Sequence, residues 1–405
     1  MAGPLSGIRV LDLSRILAGP WATQCLADLG ADVIKIERPG AGDDTRTWGP
    51  PFFEEGETRL SAYYMCANRG KRSVTVDMTK PEGQALIRRL VEQSDILVEN
   101  FKVGGLKKYG LDYDSLKAVN PGLIYCSITG FGQTGPYKDR PGYDALIQAL
   151  GGLMSITGEP DGVPGGGPMK VGVAVTDLFT GLYSTIGILG ALHHREKTGV
   201  GQHIDMALMD TQIAVLANQS MNYLVSGKEP KRLGTAHPSI VPYQAFRTSD
   251  GHMVLAVGND GQFARFCKAA GMPALAEDPR FATNPARVAN REELIPIVAG
   301  MIAGRTTDEW TTLLEEANVP GGPINTMGRV FDDAQVQARG TVLTLEAEDG
   351  TPMPSVANPI RFSETPVVYD KAPPALGADT DTVLTDVLGL SAEEQAIIRA
   401  SKVLG

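Results

Sequence analysis

Cysteine is scarce in this chain. Cys25, Cys66, Cys126 and Cys267 are the only four in 405 residues, and no two share a CxxC spacing. That argues against a disulfide-framed scaffold and suggests reduced thiols in a cytoplasm. Positive charge is short as well: 37 Lys and Arg stand against 47 Asp and Glu, a formal net charge of −10. Neither a nucleic acid nor an anionic membrane is therefore expected as the main partner, although a local basic pocket for a phosphorylated ligand is compatible with this balance. Long apolar sequence is missing too. The longest run, around Leu182–Leu192, is interrupted by Ser184, Thr185 and glycines, so no bilayer span is expected. The N-terminus, MAGPLSG, has neither the charged nor the apolar region of a signal peptide. The expected setting is cytoplasmic.

Familiar chemical signatures are also absent. GxGxxG does not follow the first predicted strand, which argues against a dinucleotide-dependent dehydrogenase, and no Walker A loop is present. His193 and His194 would point different ways on a helix, and with His203 they form no HExxH spacing. No metal site is expected.

What is present reads as an α/β enzyme of more than one domain. Residues 8–37 give strand, loop, helix and strand, with a glycine stop at Gly30. The pattern repeats. Strands are expected over Ser73–Asp77, Asp95–Phe101 and Leu123–Thr129. The helix between the first two has a threonine cap at Thr79, an early Pro81 and an apolar face of Leu86, Ile87, Leu90 and Val91. A Rossmann-like parallel sheet is the expected core, spanning residues 1–220. Composition changes near residue 225, which suggests a smaller α+β domain over 225–325, with helices at 260–271, 291–303 and 307–317. A return segment, 326–405, contributes strands around 340–363 and a terminal helix capped by Ser391.

In open α/β sheets ligands bind beyond the strand C-termini, so Arg38 and Asn100 could line one crevice. The Gly/Pro-rich loop after Glu37 carries Arg46 and Trp48, either as lid side chains or as packing anchors. Arg140, Tyr143 and Asp144, the last a candidate for the substrate or lid region, lie before a helix with Leu146, Ile147 and Leu150 on one face. The loop 158–168 then leads to the most informative stretch, 171–210. Val171–Val175 reads as a short strand, and Leu182, Ile186, Leu189 and Leu192 as the apolar face of a buried helix. Asp177 falls near the start of that helix. Free backbone N–H groups there would favour an ionised carboxylate, whether as a plain N-cap or as a reactive group.

Together, LDLSRILAGP, ADVIKIERPG with DTRTWG, DILVENF, VTDLFTG, KTGVGQHIDMALMD, GTAHPSIVPYQAF and VPGGPI resemble the class III coenzyme A transferases, the group that includes formyl-CoA transferase. Within it, GTAHPSIVPYQAF and GNDGQFARFC are most similar to succinyl-CoA:glutarate CoA-transferases. The resemblance implies that Asp177 is acylated, and that no cofactor is held permanently because the coenzyme A thioester is itself the substrate. It implies CoA contacts at Leu17, Ala18, Arg38, Val76, Thr79, Asn100, Phe101, Lys102, Lys108, Arg140 and Tyr143. It further implies that Gly234, Thr235, Ala236, His237 and Ser239 belong to a lid loop, and that the molecule is an interlocked homodimer. Leu17 and Thr79 depart from related enzymes, which have glutamine and lysine there, and Lys108 replaces an arginine.

The chemistry is consistent with the residue types. A carboxylate attacks a thioester to give a mixed anhydride and free thiolate, and the thiolate returns to form an aspartyl-CoA thioester. A second carboxylate then reverses the steps, with no general base required. For a dicarboxylate acceptor, Arg46, Tyr143, His237, Ser239 and Tyr243 are candidates for the second carboxylate. The rival within the fold, an α-methylacyl-CoA racemase, uses a histidine where this chain has Tyr143, and a phenol is a poor base at neutral pH.

Overall fold

The computed structural model describes residues 3–56 and 58–404. The chain divides into two compact units. One comprises residues up to Leu153, Val171–Leu224 and residues from Gln335 onward; the other comprises Met154–Lys170 and Val225–Ala334. The loop 158–168, read from sequence as part of the first domain, lies in the second unit.

The first unit is built on six parallel strands: β1 (Arg9–Asp12), β2 (Asp32–Glu37), β3 (Lys71–Thr75), β4 (Ile96–Glu99), β5 (Ile124–Thr129) and β6 (His203–Ala207). Their order is β3-β2-β1-β4-β5-β6. The sheet grows one way from β1 and then the other way from β4, which opens a crevice where the two loops part. Val10, Val33, Ile96, Val98 and Ile124 pack on one face; Leu11, Ile34, Val74, Leu97 and Tyr125 pack on the other. Both faces are covered, which is why the strands read as nearly continuous apolar runs.

Five helices frame this sheet: α1 (Ala18–Asp28), α2 (Pro81–Glu92), α3 (Tyr113–Val119), α4 (Asp144–Leu150) and α5 (Val175–Thr198). In α2, Leu86, Ile87, Leu90 and Val91 are all buried, as their spacing predicts. Its N-cap is Lys80, however, and Thr79 instead turns back on Asp77, its N–H and Oγ1 donating to Oδ1 at 3.0 and 2.6 Å.

Helix α5 differs most from expectation. Residues 171–174 form no strand, and Val175 is already the first helical residue. Of the expected apolar face only Leu192 is buried, while Leu182, Leu189 and Ile186 (62 % exposed) face outward. The buried face is Thr176, Thr180, Gly181, Ser184, Thr185, Ile188 and Ala191. Small residues win because α1 comes too close for larger ones: a Cβ on Gly181 would lie 2.7 Å from the Ala18 carbonyl oxygen. The hydroxyls of Thr180, Ser184 and Thr185 donate to carbonyls one turn back, so burying them leaves no donor unmet. By length and composition α5 could cross a membrane, against the expectation from its broken apolar run. In α4, Ile147 is buried but Leu146 and Leu150 are exposed, which again differs from the expected single face.

In the second unit, Tyr243–Arg247, His252–Ala256 and Gly321–Pro323 form an antiparallel sheet. Helices Asp260–Ala269, Arg291–Ala303 and Thr307–Glu316 pack around Phe246, Met253, Leu255, Phe263, Val298 and Trp310. Back in the first unit, the late segment adds a hairpin (Val342–Glu346 with Pro352–Val356) and two helices, Thr380–Asp386 and Ala392–Ala400. The last has a capping box of Ser391 with Glu394.

A buried ionic network centres on the end of β1, joining Asp12 to side chains from within β2 (Lys35) and from the start of β3 (Lys71). Asp12 accepts from Lys71 Nζ at 3.1 Å, Thr23 Oγ1 at 2.6 Å and Ser14 N at 2.9 Å. Lys35 Nζ bonds Asp43 Oδ2 at 2.9 Å and the Ser14 carbonyl at 2.9 Å. Burial pushes Asp12 up, but Lys71, Lys35 and the hydroxyl donors outweigh it and hold the carboxyl at about 2. Burial, aided by the Lys35 charge, pulls Lys71 down to about 8, while four donors meet the two Asp12 oxygens. Because the folded carboxyl sits below its unfolded value, its stabilisation is present above about pH 4 and is lost as pH falls toward about 2. Asp12→Ala should cost about 3–5 kcal/mol in urea melts, because it strands a buried cation, and should abolish that acid-side dependence.

Candidate active site

A cavity of about 580 Å³ opens within the first unit, beyond the ends of β1–β5. Most of the sequence-derived candidates meet there. Ala18, Arg38, Val76, Thr79, Asn100, Phe101, Lys102, Lys108, Arg140, Tyr143 and Asp177 all line it. Lys138, which sequence reasoning did not single out, also contributes. Arg38, Lys102, Lys108, Lys138 and Arg140 form no ion pair among the described residues. An acidic chain has therefore concentrated unneutralised cations around one hollow, as a polyphosphate ligand requires. Lys108 and Arg140 lie over the rings of Tyr109 (4.6 Å) and Tyr137 (4.5 Å), which restricts their long side chains.

The walls are set by short-range constraints. Asn100 spans the crevice, accepting from Arg15 N at 2.9 Å and donating to Arg15 O at 2.7 Å, so its amide ties the β1 and β4 loops together. Ile16, on the same wall, adopts φ +70°, a strained conformation for a β-branched residue. Its N–H is held by both Asp43 oxygens at 3.2 Å. Gly130 and Gly142 meet so closely that a Cβ on Gly130 would lie 2.6 Å from the Gly142 Cα, which presses the Arg140–Tyr143 loop against the end of β5.

Other candidates fall elsewhere. Leu17 is buried at the N-cap of α1 and is not part of the lining. Arg46, a lid or carboxylate-binding candidate from sequence, is a structural cation: it pairs with Glu37 through Nε at 2.8 Å and Nη2 at 2.6 Å, and stacks on Tyr64 at 3.9 Å. Trp48 is partly exposed and packs edge-on against Tyr63 at 5.1 Å, outside the lining. Lys80, beside Thr79, is occupied by the Lys402 carbonyl at 2.6 Å. Gly234, Thr235, Ala236, His237 and Ser239 belong to the second unit, where Arg291 donates to the carbonyls of His237 and Pro238 and His237 stacks on Tyr243. Among the described residues, no His, Cys, Asp and Glu cluster could hold a metal ion.

Asp177 is the third residue of α5, half-buried at the cavity wall. Its carboxylate has no hydrogen-bond or ion-pair partner among the described residues. The amides expected to favour its charge are taken by another carboxylate. Asp144 Oδ2 accepts from Thr176 N at 2.8 Å and from Asp177 N at 3.2 Å. Asp144, a substrate or lid candidate from sequence, thus caps α5 from α4. Burial and then the Asp144 charge push Asp177 up to about 7, the reverse of the helix-end effect. Tyr63 was not singled out from sequence; burial and then the charges of Asp177, Cys66 and Asp144 push its hydroxyl up to about 12. An unpartnered carboxylate in a basic hollow, ionised around neutrality, can serve as a nucleophile toward an electrophilic carbonyl.

Known proteins share this sequence and fold. The sequence model of CoA-transferase family III matches residues 5–380. A succinate–glutarate CoA-transferase of Agrobacterium fabrum is 57 % identical over 95 % of this chain and 96 % of its own. The human succinyl-CoA:glutarate CoA-transferase is 46 % identical over 95 % of this chain and 86 % of its own. The crystal structure of a CaiB/BaiF family protein from Brucella suis, 53 % identical, superposes with a TM-score of 0.85 over 96 % of this chain and 100 % of that one.

The Asp177 environment has a thermodynamic consequence. A carboxyl raised in the folded state stabilises fully below its unfolded value, and that contribution is lost as pH rises through about 7. Asp177→Asn should therefore melt above the parent protein at about pH 8, by roughly 1–2 kcal/mol after allowance for solvent screening, and with a smaller margin at about pH 5. Calorimetry at the two pH values measures the difference.

Proposed function

The chain belongs to CoA-transferase family III, and on that premise we propose that it moves coenzyme A from succinyl-CoA to glutarate through covalent attachment at Asp177. The donor and acceptor follow the names of the relatives that align over nearly the whole chain. The observation that carries the residue assignment is the unpartnered Asp177 carboxylate inside a cavity ringed by free cations.

Asp177 attacks the succinyl thioester and CoA leaves as thiolate. The thiolate then attacks the Asp177 carbonyl and frees succinate. Glutarate attacks the aspartyl thioester, and the returning thiolate takes the glutaryl group. Arg38, Lys102, Lys108, Lys138 and Arg140 hold the phosphates of CoA, so that both thiolate steps occur without loss of the carrier. Water has to be kept from the acyl group, because it would otherwise hydrolyse either intermediate. The outward-facing Leu182, Ile186 and Leu189 of α5 support a homodimer, interlocked as in the family, because an apolar face of that size is expected to be covered. The reduced thiols support a cytoplasmic setting.

Mixing the protein with succinyl-CoA and quenching with hydroxylamine should leave a hydroxamate on the Asp177 peptide, detected by mass spectrometry. The transfer rate across a panel of acids should be greatest with glutarate. Deuterium entering the α-carbon of an α-methylacyl-CoA, with no adduct, would establish the racemase instead. Arg38→Ala should raise KM for succinyl-CoA about ten-fold, on the order of 1.4 kcal/mol, with kcat little changed.

A further inference from the structure

Helix α5 has no cap of its own. Ala174 stands at the N-cap position and offers no side-chain acceptor. The acceptor comes from Asp144, on a different helix, which takes the amides of Thr176 and Asp177. Its other oxygen accepts from Gln148 Nε2 at 2.5 Å. Gln148 is fully buried, and its Oε1 accepts from Val171 N at 2.9 Å. Thr176 Oγ1 in turn donates to the buried Gln212 at 2.6 Å. The segment entering the helix and its first turn are thus held to one carboxylate.

We propose that Asp144 is the positioning residue for the nucleophile: it aims Asp177 into the cavity through the backbone, and its negative charge favours the acylated, uncharged form of that side chain. This rests on the reading of Asp177 as the acylated residue. When an Asp177 oxygen bonds to the thioester carbonyl carbon, the carbon–sulfur bond breaks and the electron pair leaves on the CoA sulfur. No proton moves. The charge that stood beside Asp144 has passed to the thiolate, and the like-charge repulsion is gone. The same relief holds for the aspartyl-CoA thioester. Asp144 therefore destabilises the free nucleophile relative to both covalent states.

Few other groups compete for this role. Of the elements packed on α5, α4 carries only Asp144 as a charged residue, and Leu208–Val215 carries only the exposed Asp210. α1 brings Asp28, paired with Arg69 at 2.6 Å, and Cys25, while β5 brings Tyr125 and Cys126. Both thiols are pushed up to about 12, chiefly by burial, and Tyr125 is pushed up as well, so none of the three titrates near neutrality. β6 brings Asp205, which accepts from Gln133 N, and His203, pulled down mainly by burial. Tyr63, raised to about 12, stays protonated. Across the cavity the cations common to all variants are unchanged.

The test is the pH dependence of hydroxamate formation at Asp177 in a single turnover with succinyl-CoA. It compares the parent protein with Asp144→Asn, Asp144→Ser and Asp144→Glu. Asn and Ser keep a capping acceptor without charge, and Glu keeps the charge. The parent rate should rise through an inflection near pH 7. In the two neutral variants the inflection should move about one pH unit toward acid, and the acyl-enzyme present at equilibrium with free CoA should fall about ten-fold. Asp144→Glu should restore the parent inflection. A folded neutral variant with an unmoved inflection would overturn the proposal and leave Asp144 as a cap alone. So would loss of fold in both neutral variants alongside a folded Glu variant. Absence of any adduct in the parent protein would instead overturn the assignment of Asp177.

Discussion

The crevice exists because charge is buried beneath it. Lys35 and Lys71 reach the C-terminal ends of the central strands with almost no solvent exposure, and Asp12 and Asp43 meet them there. Breaking such pairs is far more costly than forming them is favourable, so they specify geometry more than they add stability. The consequence is visible one layer up. Asp43, held by Lys35, grips the strained backbone of Ile16, and Asn100 locks Arg15 across the gap. The loops that part at the switch point are thus pinned open at a fixed width, and the cations around them face a prepared hollow.

Much of this was legible in the sequence, and the exceptions share a cause. Strand and helix order followed from apolar periodicity, and the second-unit helices fell within two residues of expectation. Arg38, Asn100, Lys108, Arg140 and Asp177 were brought to one cavity. What could not be read was the partner of each polar group. Arg46 looked like a lid residue because nothing local shows that Glu37 lies against it. Asp144 looked like a substrate ligand because its donors, the amides of residues 176 and 177, are more than thirty positions away. For α5, periodicity selected the larger apolar residues, whereas close approach to α1 selected the small ones. Resemblance supplied the lid loop and the donor; neither follows from periodicity or charge.

The helix N-terminus is a second case of one principle overruling another. A carboxylate in the first turn of a helix is ordinarily stabilised as an anion. Here the donors are already taken, and the occupant is itself negative, so the effect on Asp177 changes sign. That reversal suits covalent catalysis by a carboxylate, since a comfortable anion would be slow to attack and quick to leave. On the proposed mechanism the cavity's cations act on the phosphates of CoA and not on the reacting carbon, which divides binding from chemistry.

If Asp177 is the nucleophile, one of its oxygens passes through the reaction. A single turnover of the succinylated enzyme and CoA with glutarate labelled with 18O in its carboxylates tests this most directly. If the acceptor attacks the aspartyl-CoA thioester and thiolate then removes the glutaryl group, one labelled oxygen is left behind. The Asp177 peptide should carry that single 18O. Label found in succinate while the Asp177 peptide stays unlabelled would mean direct attack of one substrate on the other, and would contradict the account.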